Sequence, residues 1–261
     1  LAYCALWHVM SLSTIMITNQ EDGFLRDIWY FAVRADELKL GRLLSLKLLG
    51  EPIVLGRQKT GQPFALRDIC PHRGIPLSDG RLIDDELECC YHGWRFNSEG
   101  TCICIPSLTE DQNLELNRIK VPNYPVQELS GCIWIFMPSD FRNMELKKIP
   151  PTVPDAFSKP AMTEKLTFPC HIDHAVIGLM DPAHGPYVHQ SWWWRSRKSV
   201  HTKSKVFGPT DLGFAMLKHK PSSNSLAYKI LGRDIETEIT FRLPGIRIET
   251  IHVGRNLVVG L

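Results

Sequence analysis

The residues best able to do chemistry lie between Cys70 and Trp94, in CPHRGIPLSDGRLIDDELECCYHGW. Cys70 and His72 form a Cys-x-His pair, sixteen residues intervene, and Cys89 and His92 form a Cys-x-x-His pair. Two thiolates and two imidazoles are thus delivered from two short stretches. Gly74, Pro76, Gly80 and Gly93 supply the tight turns such loops need. Soft thiolate with imidazole suits either zinc or an iron–sulfur cluster. Zinc sites more often pair Cys with Cys and His with His along the chain. Here each stretch gives one of each, which suits a two-iron cluster with two Cys on one iron and two His on the other. Cys-x-x-His counted back from His92 lands on Cys89, so Cys89 is the expected ligand and the adjacent Cys90 a small loop residue.

A second group is Asp181-x-x-His184-x-x-x-x-His189. Two His and a carboxylate on one ferrous ion leave open positions for O₂. Alone, two His five residues apart are weak evidence, and packed or surface imidazoles are the commoner case. His171 and His174 compete through their helical i, i+3 spacing, with a polar network as the default for both.

Around these residues the chain resembles the Rieske domain of bacterial ring-hydroxylating oxygenases and their demethylase relatives. The resemblance rests on CPHRG and CxYHGW. It extends to Trp29-Tyr30, Arg95-Phe96, Gly100 to Pro106, Tyr124-Pro125-Val126 and Gly131 to Pro138. It implies a [2Fe–2S] cluster held by Cys70, His72, Cys89 and His92. Respiratory Rieske proteins carry a further disulfide-forming Cys in each loop. Ile75 and Tyr91 occupy those positions here, so the expected potential is roughly −150 mV rather than about +300 mV.

The same resemblance implies that His184 and His189 bind a mononuclear Fe(II). Asp181 then corresponds to the carboxylate that links this iron to the Rieske His of a neighbouring subunit, here His92, within a head-to-tail homotrimer. An N-cap or turn role is the plain alternative for Asp181. Family members often carry Asn shortly before this Asp, where Ile177 and Gly178 stand, which alters the pocket wall. The family's carboxylate ligand comes from a late helix. Asp211 and Asp234 are acids in turn-like contexts and neither is assigned; the third ligand is expected beyond Leu261.

A chain of 261 residues can hold one large or two modest domains and bury about three-quarters of the unfolded surface. With 44% hydrophobic residues, 22% charged and a net charge of +2, composition points to neither nucleic acid nor an anionic membrane as partner. Eight Cys without a secreted-framework spacing suit a cytoplasmic location. Cys102 and Cys104 share a strand face and are expected to be buried rather than ligating. The first seventeen residues are apolar, too short for a transmembrane helix and without a basic n-region; translation is expected to start at Met10 or Met16.

IWYFAVR, PIVLGRQ, PFALRD and GCIWIFMP read as strands of an all-β domain over 26–138. Residues 139–160 read as a Pro-rich, polar, exposed linker. Over 161–261, His171 to Met180 has the composition of a buried helix, which Pro182 ends or restarts. KVF, GFAMLK, AYKIL, ETEITFRL, IRIETIHV and NLVVGL read as strands. The expected fold is α+β: a Rieske domain, then an incomplete helix-grip catalytic domain built on an antiparallel sheet. Trp192, Trp193 and Trp194 suit a substrate entrance or subunit interface. The basic run Arg195, Arg197, Lys198, Lys203 and Lys205 suits a solvated face or reductase docking.

The function these features imply is an oxygenase α-type subunit, with a possible small β subunit. It would use O₂ and NAD(P)H electrons from a separate reductase or ferredoxin to hydroxylate or demethylate a small, aromatic, organic substrate. No Rossmann glycine fingerprint is present to bind NAD(P)H directly. Two other readings stay open here: a Rieske electron carrier with a C-terminal appendage, and a structural zinc module.

Overall fold

The computed structural model describes residues 23–146, 149–151, 162, 164–181, 184–188, 204–221, 234–254 and 257–260. The first half is a set of short strands: β1 (Ile28–Arg34), β2 (Leu43–Leu48), β3 (Glu51–Arg57), β4 (Pro63–Arg67), β5 (Arg81–Ile83), β6 (Glu86–Glu88), β7 (Arg95–Phe96), β8 (Cys102–Cys104), β9 (Asn123–Tyr124), β10 (Val126–Leu129) and β11 (Cys132–Met137). They form three sheets, ordered β1-β11-β10, β2-β3-β4-β9 and β5-β6-β7-β8, with antiparallel neighbours throughout.

Strand alternation explains how these sheets stack. In β3, Val54 enters one core with Phe64, Leu66, Leu77, Leu87 and Phe96. Ile53 and Leu55 enter another with Ala65, Tyr124, Ile133, Ile135 and Met137. A strand buried on both faces reads as a continuous apolar run, as Ile53-Val54-Leu55 does. The opposite face of β11 gives Trp134 and Phe136, which close over Trp29. Ile246, from the second half of the chain, packs against that cluster.

The second half contains α1 (Ile172–Met180), a single turn α2 (Gly185–Val188) and β12 (Phe207–Thr210), β13 (Gly213–His219), β14 (Ile235–Arg242), β15 (Ile246–Val253) and β16 (Leu257–Gly260). These five strands run in sequence order as one antiparallel sheet. Packing therefore runs from the ligand-loop sheet to β2-β3-β4-β9 and on to β1-β11-β10, whose outer face meets Ile246 of the five-stranded sheet.

Two expectations need correction. Helix α1 exists, but only Met180 in it is buried, and Ile172, Ile177 and Leu179 are each more than half exposed. Composition marked it as apolar but could not say whether anything covers it. The linker is exposed over residues 139–146 apart from Phe141, yet Pro150 and Pro151 are buried. Burying them costs little side-chain conformational entropy. Residues 1–22, with Met10 and Met16, lie outside the described residues, as do AYKIL, Trp192 to Trp194, and Arg195, Arg197, Lys198 and Lys203. Among the described residues no helix is long and apolar enough to cross a membrane.

Candidate metal centre

The two ligand stretches fold into near-copies of one loop. In the first, between β4 and the turn Leu77–Asp79, the Cys70 N–H donates to the Ile75 carbonyl and the Gly74 N–H to the Cys70 carbonyl, both at 2.8 Å. In the second, between β6 and β7, the Cys89 N–H donates to Trp94 at 2.9 Å and the Gly93 N–H to Cys89 at 3.0 Å. Each loop turns at its fifth residue, where Gly74 and Gly93 have φ of 73° and 70°. That left-handed backbone strains any side chain, and at Gly93 an added Cβ would lie 3.1 Å from Pro106 Cγ.

The loops bring all four expected donors together, in two pairs. Cys70 and Cys89 are each 2% exposed, inside the core with Leu77, Leu87, Phe96 and Cys102. Cys90 points to solvent. The imidazoles of His72 and His92 lie with ring centroids 4.4 Å apart, His72 half-buried and His92 exposed. Sulfur thus faces inward and imidazole outward. Among the described residues no three His, Cys, Asp or Glu side chains converge as ligands of one ion would. Two Cys on the core side and two His on the solvent side suit the two irons of a [2Fe–2S] cluster, one iron with each kind of ligand.

The electrostatics fit the same group. Burial, reinforced by the neighbouring Cys89, pushes the Cys70 thiol up to about 11. The Cys70 thiol is therefore a poor thiolate unless a cation joins it. Burial, then His92 and Arg73, lowers the His72 pKa and favours the neutral, ligating imidazole. Its Nδ1 is buried with no hydrogen-bond partner, the position of a nitrogen reserved for a metal. The His72 ring stacks on Trp94, and Tyr91 leans on His92 with centroids 4.1 Å apart.

Several contributors escaped the sequence reading. Trp94 was part of the motif, but its stacking on His72 is a contact between loops. Asp68, buried at the base of the first loop, accepts three hydrogen bonds; an acid where an apolar strand runs into a Cys loop was the available signal. Cys102 is buried as expected, Cys104 half-buried.

The second constellation sits at the end of α1. His171 caps this helix, its ring accepting the Asp173 N–H at 3.3 Å, and both His171 and His174 are exposed. Asp181 is the C-cap, its N–H donating to Ile177 at 2.9 Å. The Asp181 carboxylate lies 3.9 Å from His184 Nδ1. The His184 carbonyl starts α2 by accepting from Tyr187 and Val188, each at 2.9 Å. His189 lies outside the described residues.

An unforeseen residue ties this segment to the sheet. Arg247 Nε donates to the Leu179 carbonyl at 3.1 Å, while its Nη2 donates to Glu249 at 2.6 Å. Strand alternation puts Arg247 and Glu249 on one face of β15, and Ile246 and Ile248 on the other. On that other face a cavity of 250 Å³ is lined by Pro151, Thr210, Asp211, Thr240, Arg242, Ile246 and Ile248. It is therefore not the space beside Asp181 and His184. Asp211 is exposed and pairs with Arg242 at 3.6 Å; Asp234 is also exposed.

Comparison with known proteins places this geometry. Residues 28–125 match the family model of the Rieske [2Fe-2S] domain. The oxygenase component of dicamba O-demethylase from Stenotrophomonas maltophilia is 36% identical over 227 residues, covering 85% of this chain and 57% of that protein. Chloroplastic chlorophyllide a oxygenase of Chlamydomonas reinhardtii is 35% identical over 176 residues, covering 66% of this chain and 25% of the relative. The crystal structure of dicamba monooxygenase bound to dicamba superposes with a TM-score of 0.70 at 28% identity, over 87% of this chain and 67% of that one. The chain thus spans between a quarter and somewhat over half of these curated relatives. A paired Cys and His centre on two matched loops identifies residues 28–125 as a Rieske [2Fe–2S] domain, in a chain that is similar beyond that domain to the oxygenase components of Rieske non-haem iron oxygenases.

Proposed function

We propose that the protein is the oxygenase component of a multicomponent system that hydroxylates or demethylates a small, aromatic, organic substrate. The observation that carries this reading is the separation of two chemical stations along one chain. A Cys₂His₂ tip occupies one end of the layer stack, and an Asp-His segment lies on the sheet at the other. In this reading residues 26–138 are the Rieske domain, 139–160 the linker and 161–261 part of the catalytic domain.

Cys70, His72, Cys89 and His92 would hold the [2Fe–2S] cluster. His184 and His189 would hold Fe(II). When bound, the cluster supplies single electrons and the ferrous ion supplies open coordination positions for O₂. The protein's own part is to shape the two sites. The core around Cys70 and Cys89 excludes water from the sulfur side. The exposed edge of His92 is the natural point of electron exit.

The exposed ring of His92 supports an arrangement in which His92 of one protomer meets Asp181 of the next, in a homotrimer. Asp181, 3.9 Å from His184, would accept from one imidazole on each side and orient both. Electrons would come from a separate NAD(P)H-dependent reductase or ferredoxin, in a cytoplasmic setting. The electron-carrier reading is disfavoured because similarity to an oxygenase component runs over 85% of the chain, well past the Rieske domain. The test is incubation of the full-length protein with a reductase, ¹⁸O₂ and a panel of methoxylated and chlorinated aromatic acids. Label in a hydroxylated product or released aldehyde is expected. Cluster oxidation without any labelled product would refute the proposal.

A further inference from the structure

Asp68 precedes Cys70 by two residues and is 4% exposed. Its Oδ1 accepts the backbone N–H of Ser78 at 2.7 Å. Its Oδ2 accepts the hydroxyls of Ser78 at 2.6 Å and of Ser45 at 2.9 Å. Ser78 belongs to the turn that ends the first ligand loop, and Ser45 lies on β2 in the neighbouring sheet. One side chain therefore joins the start of the loop to its end and anchors both to the sheet behind.

An amide N–H and two hydroxyls face the two carboxylate oxygens, which is the set of donors an aspartate needs when buried. All three donors are neutral, and the ion pairs among the described residues of this domain do not include Asp68. A negative charge thus sits beside the first ligand loop, stabilised by hydroxyl and amide dipoles rather than cancelled by a cation. In surroundings of reduced dielectric such a charge acts over several ångströms with little screening.

We infer that Asp68 is a positioning residue with an electrostatic consequence: it closes the first ligand loop, and its uncancelled charge lowers the reduction potential of a cluster held at Cys70, His72, Cys89 and His92. The inference rests on the cluster assignment of the previous subsection. Reduction adds one electron, delivered by the reductase, to the cluster. A fixed anion nearby opposes that addition, so the oxidised form gains relative to the reduced one.

The experiment is an EPR-monitored potentiometric titration of the full-length protein and three variants. Asp68→Asn keeps the shape and removes the charge; its midpoint is expected above wild type with the cluster spectrum intact. Ser45 is exposed, so Ser45→Lys can place an ammonium against Asp68 without disturbing the core. Its midpoint is expected to rise too, and the rise to shrink as salt is added. Should Asp68→Asn fail to assemble a cluster, Ser45→Lys alone decides. A wild-type midpoint in Ser45→Lys, or in an intact Asp68→Asn, overturns the electrostatic role. Ser78→Ala keeps the charge but loses a donor, so amides of residues 69–78 should exchange hydrogen faster; unchanged exchange overturns the clamp. Absence of a Rieske signal in the wild type would instead refute the cluster assignment, a distinct result.

Discussion

His72 lies flat on Trp94, with ring centroids 4.6 Å apart and planes within 4° of parallel. The ring of one loop is thereby set by an aromatic of the other. Such pairs contribute about 0.5–1.5 kcal/mol beyond area burial. Trp94→Phe should keep most of this and Trp94→Ala none. The half-life of the cluster chromophore in air should therefore fall in the order wild type, Phe, Ala, by up to about tenfold. Equal half-lives in all three would show that the stack does not position His72.

The adjacent Cys89 and Cys90 differ in environment: the first is in the core with Cys70, the second exposed. Cys89→Ser should abolish the visible cluster spectrum and Cys90→Ser should leave it unchanged. Loss in the second variant with retention in the first would reverse the assignment.

Arg247 and Asp181 act on the same segment in different ways. Arg247→Ala frees the Leu179 carbonyl and leaves Glu249 without this partner, a loss of about 1–3 kcal/mol. Mononuclear iron per cluster, measured in the full-length protein, should fall while the Rieske spectrum stays. Asp181→Asn should instead retain both metals and stop turnover. Full activity in Asp181→Asn would refute the bridge. Wild-type iron content in Arg247→Ala would refute the anchoring role.

Tyr124 is 1% exposed and donates its hydroxyl proton to Glu51, which also accepts from Arg26. Burial, then the hydrogen bond to Glu51, raises the phenol pKa. A folded value above the unfolded one, near 10, means the proton is held more tightly in the native state. The resulting stability is complete below about pH 10 and is lost as pH rises through the folded value. Tyr124→Phe should be less stable by about 1–3 kcal/mol near neutrality, with the gap to wild type narrowing above about pH 10. A constant gap in denaturant titrations across that range would contradict this.

How much of this was legible in the sequence varied with range. β1, β3, β4 and β11 declared themselves through apolar runs between Gly and Pro. β2 did not enter the reading although LLSLKL alternates. The strands from β5 to β8 are two or three residues long, too short to carry a period. The four paired donors were legible because their spacing is local. The Trp94 stack, the Asp68 clamp and the Arg247 anchor were not, because each joins residues whose proximity only the folded chain creates. Helix α1 shows the converse, since apolar composition said nothing of what lies against it.

The most direct test is iron and acid-labile sulfide analysis of anaerobically purified full-length protein, with an EPR spectrum after reduction. The account predicts a Rieske-type signal, two sulfides with two cluster irons, and iron in excess of sulfide from the mononuclear site. Colourless protein holding zinc at Cys70, His72, Cys89 and His92 would contradict it.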